Sequence, residues 1–309
     1  MRVAAIGRTE ILFETIELLI KKGYEVPLII TAKEAPEYIK TSDDFKQLAA
    51  SINAKFIHTP KLNTPEVINS INSIEKCDIC VSINYSGIIE ENIINLFPLG
   101  ILNAHAGDLP KYRGNACLAW SIINGEKEAG LCIHKMIGGE LDNGNIIERE
   151  YHDINQNTTV GELTEWCRQR IPALFLNAVE KLKKDANYIL EKQSTDPKDA
   201  LRGYPRKPED GEVTWDNHNI DILRLINASS QPFPGAFCKY KDKTMIIWKA
   251  EIVEDYEVYL SISGQVSSIS DAGVTIICGK GKLLLKDVEY ENQRANPNVF
   301  IKSLRDRLK

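Results

Sequence analysis

The chain has 309 residues, 43% of them apolar and 26% charged, and its net charge is −5. That length suits two domains with packed cores, and the absence of any run fit for a membrane span or a signal-peptide core makes a cytoplasmic location with no membrane partner the expectation. Residues 1–200 carry 22 Lys and Arg against 28 Asp and Glu and residues 201–309 carry 16 against 15, so neither part has the basic excess that neutralises many phosphates, and no nucleic-acid partner is expected.

"RVAAIG" reads as a short apolar strand. "TEILFETIELLIKKG" then carries a helical stripe through Ile11, Leu12, Thr15, Ile16, Leu18 and Leu19, closed by Lys21, Lys22 and Gly23. "EVPLIIT" is a second strand. "SDDFKQLAASIN" is a helix with Ser42 or Asp43 as its N-cap. "AKFIHT" is a third strand, and "TPEVINSINSI" a helix capped by Thr64 with Pro65 in its first turn. "CDICVSIN" is a fourth strand. It contains Cys77 and Cys80, but no second Cys or His pair accompanies them, and no metal site is expected. The odd total of seven Cys also argues against a disulfide framework.

"GILNAHAG" follows as the next strand. "LCIHKMI" and "GNIIEREYHDI" read as further strands joined by "GGELDNG". A long helix runs from about Thr159 to Lys184, with Thr158 or Thr159 and Glu162 as a capping box and Pro172 as a kink or break. A polar, Pro-rich connection leads to a short helix, "NIDILRLINASS". Short alternating runs separated by Gly and Asp turns then suggest a small antiparallel barrel. The expected fold is therefore α/β: a Rossmann-like, mostly parallel sheet followed by an OB-like barrel. The expected domains are residues 1–185, a linker 186–210 and a barrel 211–309.

Strand-helix alternation puts chemistry at the carboxyl ends of the strands. Asn103 and His105 lie there, two residues apart and so on one face. Gly-rich nucleotide motifs and the nucleophile elbow are missing. What remains is an amide, an imidazole and Asp142 in "GGELDNG". Asn103 can donate to an oxyanion, His105 can move a proton near neutral pH, and Asp142 can steady the charged imidazole. No enzyme nucleophile is needed if the substrate is an amine, so the set suits direct acyl transfer to an amine. His58, His134, His152 and His218 show no partner pattern and read as structural.

"LNAHAGDLPKYRGNA", with "GELDNGNII" downstream, resembles the formyltransferases that use N10-formyltetrahydrofolate, and the sequence from "PRKPEDG" to "KAEIV" resembles the C-terminal domain found in several of them. The resemblance implies that Asn103, His105 and Asp142 are the catalytic residues. It implies a pterin held largely by backbone along Ser86, Gly87, Ile88, Ile89 and Ile94 and in the loop Ile137, Gly138, Gly139, Glu140 and Leu141. "AGD" at Ala106–Asp108 departs from the family's Ser-rich turn.

The acceptor is expected to be the amine of a 3- or 4-amino-dideoxyhexose on a nucleoside diphosphate, for cell-surface polysaccharide synthesis. The segment "TAKEAPEYIKTSDDFKQ" lacks the basic insertion of the tRNA-directed members, and the barrel is close to neutral. Arg8, Thr9, Lys111, Arg113, Asn115, Tyr204 and Arg206 are the expected contacts to the sugar nucleotide. Methionyl-tRNA formyltransferase is the alternative, and a non-catalytic folate- or sugar-nucleotide-binding paralogue the alternative of another class. A homodimer is a possible assembly.

Overall fold

A strand buried on both faces belongs in the middle of a parallel sheet, and β1 (Arg2–Gly7), with Val3, Ala4, Ala5 and Ile6 wholly enclosed, takes that place. The computed structural model describes residues 1–36, 38–255, 257 and 259–309. After β1 come α1 (Glu10–Lys21), β2 (Glu25–Thr31), α2 (Ser42–Ser51), β3 (Lys55–His58), α3 (Pro65–Asn72), β4 (Ile79–Ile83), α4 (Glu91–Ile94), β5 (Ile101–His105) and the two-residue β6 (Arg113–Gly114). Next are α5 (Cys117–Ile123), β7 (Glu128–Lys135), β8 (Ile146–Asp153) and α6 (Val160–Lys184). The seven-stranded sheet has the order β3-β2-β1-β4-β5-β7-β8. Its first five members are parallel, and β7 runs antiparallel to β5.

Local sequence explains the helix ends. α1 buries Leu12, Thr15, Ile16 and Leu19. It closes in a Schellman turn, with Gly23 N bonded to Ile20 O, Tyr24 N to Leu19 O, and Gly23 at φ 82°. α2 is capped one residue before the expected position, by Thr41. Thr41 Oγ1 accepts from Asp44 N at 3.3 Å while the Asp44 carboxylate accepts from Thr41 N at 2.8 Å, a reciprocal box that Ser42 and Asp43 cannot form. α3 has the expected Thr64 cap and first-turn Pro65. α6 continues through Pro172. The buried face that follows it, Leu174, Phe175, Ala178, Val179 and Leu182, supplies packing that offsets the lost N–H bond.

Gly7 ends β1 at φ 145°, and a Cβ there would stand 1.9 Å from Ile83 O. Gly7→Ala must therefore push β1 off β4. The expected result is a loss of about 3 kcal/mol in urea unfolding at unchanged m, the upper end for overpacking; an unchanged midpoint would show that the two strands can part.

By contact clustering the chain forms two units. The first comprises Met1–Gly114, Gly130–Tyr151 and Glu165–Arg202; the second comprises Asn115–Ala129, His152–Thr164 and Gly203–Lys309. The stretch after α6 adds β9 (Arg202–Gly203), α7 (Asn219–Ala228), β10 (Ala236–Tyr240), β11 (Lys243–Val253), β12 (Val266–Ser270), β13 (Gly273–Ile277), β14 (Lys282–Tyr290) and β15 (Gln293–Ala295). In the second unit an antiparallel sheet runs β10-β11-β14-β13-β12, with β15 on β14. Leu308 bridges Tyr240 of β10, and Arg307 bridges Gln265 beside β12. The two edges of the sheet are thus joined through residues 307–308, which removes unpaired edges and gives the expected barrel. Its core includes Trp215, Ile226, Tyr240, Met245, Ile247, Val274, Leu283 and Leu285.

All seven cysteines are buried free thiols, and burial pushes Cys77 up to about 11, away from thiolate chemistry. No helix among the described residues is long and apolar enough to cross a membrane.

Candidate active site

β5 carries Asn103 and His105 to the carboxyl end of the parallel strands, where Ser82 of β4 pairs with Asn103. On the other side the antiparallel register sets Asn103 opposite His134 and His105 opposite Cys132. Asp142 comes from the loop between β7 and β8, at φ 56°. These elements bring together four polar side chains, and His105, His134 and Asp142 are each less than a tenth exposed. His134 is the addition to the expected set. An isolated His in an apolar run gives no signal of its own; the reversed direction of β7 is what sets it against Asn103.

His105 Nδ1 lies 3.5 Å from Asp142 Oδ2, and His105 Nε2 lies 2.6 Å from Tyr112 O. Both ring nitrogens therefore face oxygen acceptors. A neutral imidazole can give a proton to only one of them; the imidazolium satisfies both. Burial nevertheless holds the His105 pKa below its ordinary value, against the pull of Asp142 and the Tyr112 carbonyl. The ring is thus neutral near pH 7, and the imidazolium it becomes on taking a proton finds an acceptor at each nitrogen.

Burial alone would raise the pKa of Asp142. His134, His105 and the Gly114 amide outweigh it and hold the carboxyl at about 2. Gly114 N donates to Oδ2 at 2.9 Å, and His134 Nε2 lies 3.7 Å from Oδ1. Asn103 Nδ2 sits 3.3 Å from His134 Nε2. With the His134 ring proton on Nδ1, which faces Lys135 O at 3.0 Å, Nε2 accepts one hydrogen of the Asn103 amide and the second remains available for an oxyanion.

Two loops flank this group. Ile88, Ile137 and Leu141 are exposed large apolar side chains, whereas Ile89 and Ile94 belong to the core cluster under the sheet. Ser86, Gly139 and Glu140 are exposed, and Gly87 lies against the Tyr85 ring. Gly138 N donates to Glu91 Oε2 at 2.9 Å, and a Cβ on Gly138 would meet Glu91 N at 2.4 Å. The loops therefore meet backbone to backbone, with three aliphatic side chains open to solvent.

The expected acceptor contacts are divided between the two units. Arg8 bonds Asn84 O and Lys33 O and lies over the Tyr38 ring, stapling the strand ends. Thr9 is buried at φ 83°, its hydroxyl without a hydrogen-bond partner among the described residues. Lys111 is exposed. Arg113 is turned inward, its guanidinium on Gln193 and Ser194 O. Asn115, Tyr204 and Arg206 belong to the second unit. There Tyr204 O accepts from Trp120 Nε1, and Arg206 bonds Ala228 O, Asp210 O and Ser229 Oγ. His218 caps α7. No group of three or more His, Cys, Asp or Glu suited to a metal occurs among the described residues.

A family model described as formyl transferase matches residues 1–179, and one described as formyl transferase, C-terminal domain, matches residues 206–305. A methionyl-tRNA formyltransferase of Acetivibrio thermocellus is 27% identical over 95% of this chain and 93% of its own length. One from Rickettsia bellii is 28% identical over 99% and 97%. Among solved structures, the N-formyltransferase of Helicobacter canadensis, in complex with folinic acid and dTDP-3-aminofucose, superposes with a TM-score of 0.68 at 17% identity, covering 92% of this chain and 98% of that one. That likeness concerns the fold alone. The sugar-nucleotide acceptor expected from the sequence is corrected by the full-length relatives, which carry the tRNA name at 26–29% identity. The expectation rested on the missing basic insertion at "TAKEAPEYIKTSDDFKQ" and on a near-neutral barrel, and neither reports how charge is distributed over the whole surface.

Proposed function

The chain belongs to the formyl transferase family, and on that footing we propose that it moves the formyl group of formyltetrahydrofolate onto the amine of methionyl-tRNA. The chemistry is carried by the His105 ring, held neutral by burial between two oxygen acceptors. The acceptor assignment draws on relatives of the same name that match nearly the whole chain.

Formyltetrahydrofolate supplies an activated one-carbon acyl group on a nitrogen that can leave. The exposed side chains of Ile88, Ile137 and Leu141 suit the faces of a flat ring, and covering them would remove apolar surface from water. Gly138, where a Cβ would meet Glu91 N at 2.4 Å, lets this loop close on α4. As the acceptor nitrogen bonds to the formyl carbon, His105 takes the proton that nitrogen sheds; as the bond from that carbon to the folate nitrogen then breaks, the ring returns the proton to the leaving nitrogen. Asp142 steadies the imidazolium so formed. The free N–H of Asn103 Nδ2 donates to the developing oxyanion, and His134 holds the amide in position from its other hydrogen.

RNA requires local positive surface. In the second unit Lys239 and Lys309 pair through their backbones, and Lys239, Lys241, Arg307 and Lys309 are all exposed. Asp306, within this group, is occupied by the Tyr240 hydroxyl at 2.9 Å. A near-neutral domain thus still presents a basic edge.

The test is incubation with formyltetrahydrofolate and methionyl-tRNA, followed by mass detection of formylmethionine after ester hydrolysis. Formylation of the charged tRNA, and not of free methionine, is the expected result. Formate release that does not depend on the acceptor, or no formylmethionine at all, would overturn the assignment.

A further inference from the structure

Gln193 lies between α6 and β9, in a stretch whose composition reads as a solvated connection, yet it is only 8% exposed. Its amide is fully engaged. Oε1 accepts from Arg113 Nη2 at 2.8 Å, and Nε2 donates to Asp142 O at 3.0 Å and to Gly144 O at 2.6 Å. On the opposite side of the same loop, Gly114 N donates to Asp142 Oδ2, and Gly114 directly follows Arg113. A closed circuit results: Asp142 carboxylate, Gly114 amide, Arg113 backbone and guanidinium, Gln193 amide, Asp142 carbonyl.

The circuit has work to do. Asp142 adopts a left-handed backbone conformation that side chains disfavour, and such a conformation persists only where surrounding bonds over-determine it. Gly144 fixes the far end of the loop, since a Cβ there would stand 1.5 Å from Lys135 O. Only an amide of this length supplies one acceptor for the guanidinium and two donors for the two carbonyls. A carboxylate would keep the arginine and set its oxygens against the carbonyls. An aliphatic side chain would leave the two carbonyls buried and unpaired and the guanidinium on Ser194 O alone.

We infer that Gln193 is a positioning residue for formyl transfer: it locks the turn that aims the Asp142 carboxylate at His105 and His134. Its kinetic readout rests on the proposed function, whereas its effect on His105 can be read without any substrate. The charged and titratable groups facing His105 are Asp142 from its loop, His134 from β7 and Arg113 from β6. Of these, the Asp142 carboxylate favours the protonated ring and the other two oppose it.

The test compares Gln193→Glu and Gln193→Met with the full-length wild type. It records kcat and KM, cooperative unfolding, and the NMR titration of the His105 ring in the free protein. Gln193→Glu keeps the arginine contact and Gln193→Met keeps the volume, so the reading is taken on whichever variant unfolds cooperatively. The expected result is a fall in kcat of about tenfold or more with KM within threefold, and a His105 titration displaced to lower pH by about half a unit or more. Turnover within twofold of wild type, or a His105 titration that does not move, would overturn the inference. If the wild type fails to formylate methionyl-tRNA, the acceptor assignment falls, and the His105 titration alone decides the role of Gln193.

Discussion

Replacing His105 with alanine is expected to lower turnover by about 100- to 10,000-fold, the range over which a positioned acid–base group contributes. His105→Asn should lose as much, because an amide keeps polarity and hydrogen bonding but takes up no proton. The pH profile gives the sharper reading. Transfer requires the neutral ring, and burial holds its pKa below 6.5. The wild-type rate should therefore rise as pH climbs through a value on the acidic side of 6.5, and rise again as the acceptor amine, which attacks only when neutral, loses its proton near about 8. The His105→Ala rate should lack the lower limb and keep the upper one. Single-turnover formylation from pH 5 to 8 measures both. A variant that retains the acidic limb would mean that another group accepts the proton, and His134, opposite Asn103, would be the first to test.

Asp142→Asn should cost turnover by about 100-fold or more, because it removes the charge that favours the imidazolium while keeping the side chain's size. It should also change acid stability in a defined window. The Asp142 carboxyl is held at about 2 in the folded chain against an ordinary 3.8. A depressed pKa contributes stability that is present above the ordinary value and lost as pH falls through the folded one. The wild type should thus lose about 2 kcal/mol between pH 4 and pH 2 that Asp142→Asn does not lose. His105 acts in the same direction: its pKa is also depressed, so stability falls as pH drops below 6.5 through its folded value. Urea unfolding of wild type and Asp142→Asn at stepped pH isolates the Asp142 part. Parallel curves for wild type and Asp142→Asn from pH 4 to pH 2 would contradict the ion-pair arrangement.

Elements with local causes were legible in the sequence. The α1 stripe with its terminal Gly23 and the Thr64 cap of α3 depend on neighbours a few residues away, and these the chain states directly. Thr41 was missed in favour of Ser42 and Asp43 because three adjacent residues can all cap; the choice is made by the reciprocal bond to Asp44. Asn103, His105 and Asp142 were visible as residue types at a strand end and in a turn. His134 and Gln193 were not. Each acquires its partners from strand direction or from a distant loop, and an isolated polar residue in an apolar run, or a glutamine in a polar one, carries no such information. Arg113 shows the converse: a cation beside the active loop looks like a ligand contact, yet it is bonded into the protein. The acceptor expectation drew on a missing basic insertion and on a sum of charges, and a sum does not show that Lys239, Lys241, Arg307 and Lys309 are each exposed.

The second unit is not one stretch of chain. It takes residues 115–129 and 152–164 from within the segment that the first family model matches, together with everything from residue 203 onward. Grafting a relative's C-terminal domain onto this protein by a single crossover near residue 203 would import the barrel and leave behind α5, the helix that packs on α7. Chimeras meant to exchange acceptor preference within this family should therefore transplant all three stretches together, and hybrids joined at one point should fold poorly however well matched their barrels are.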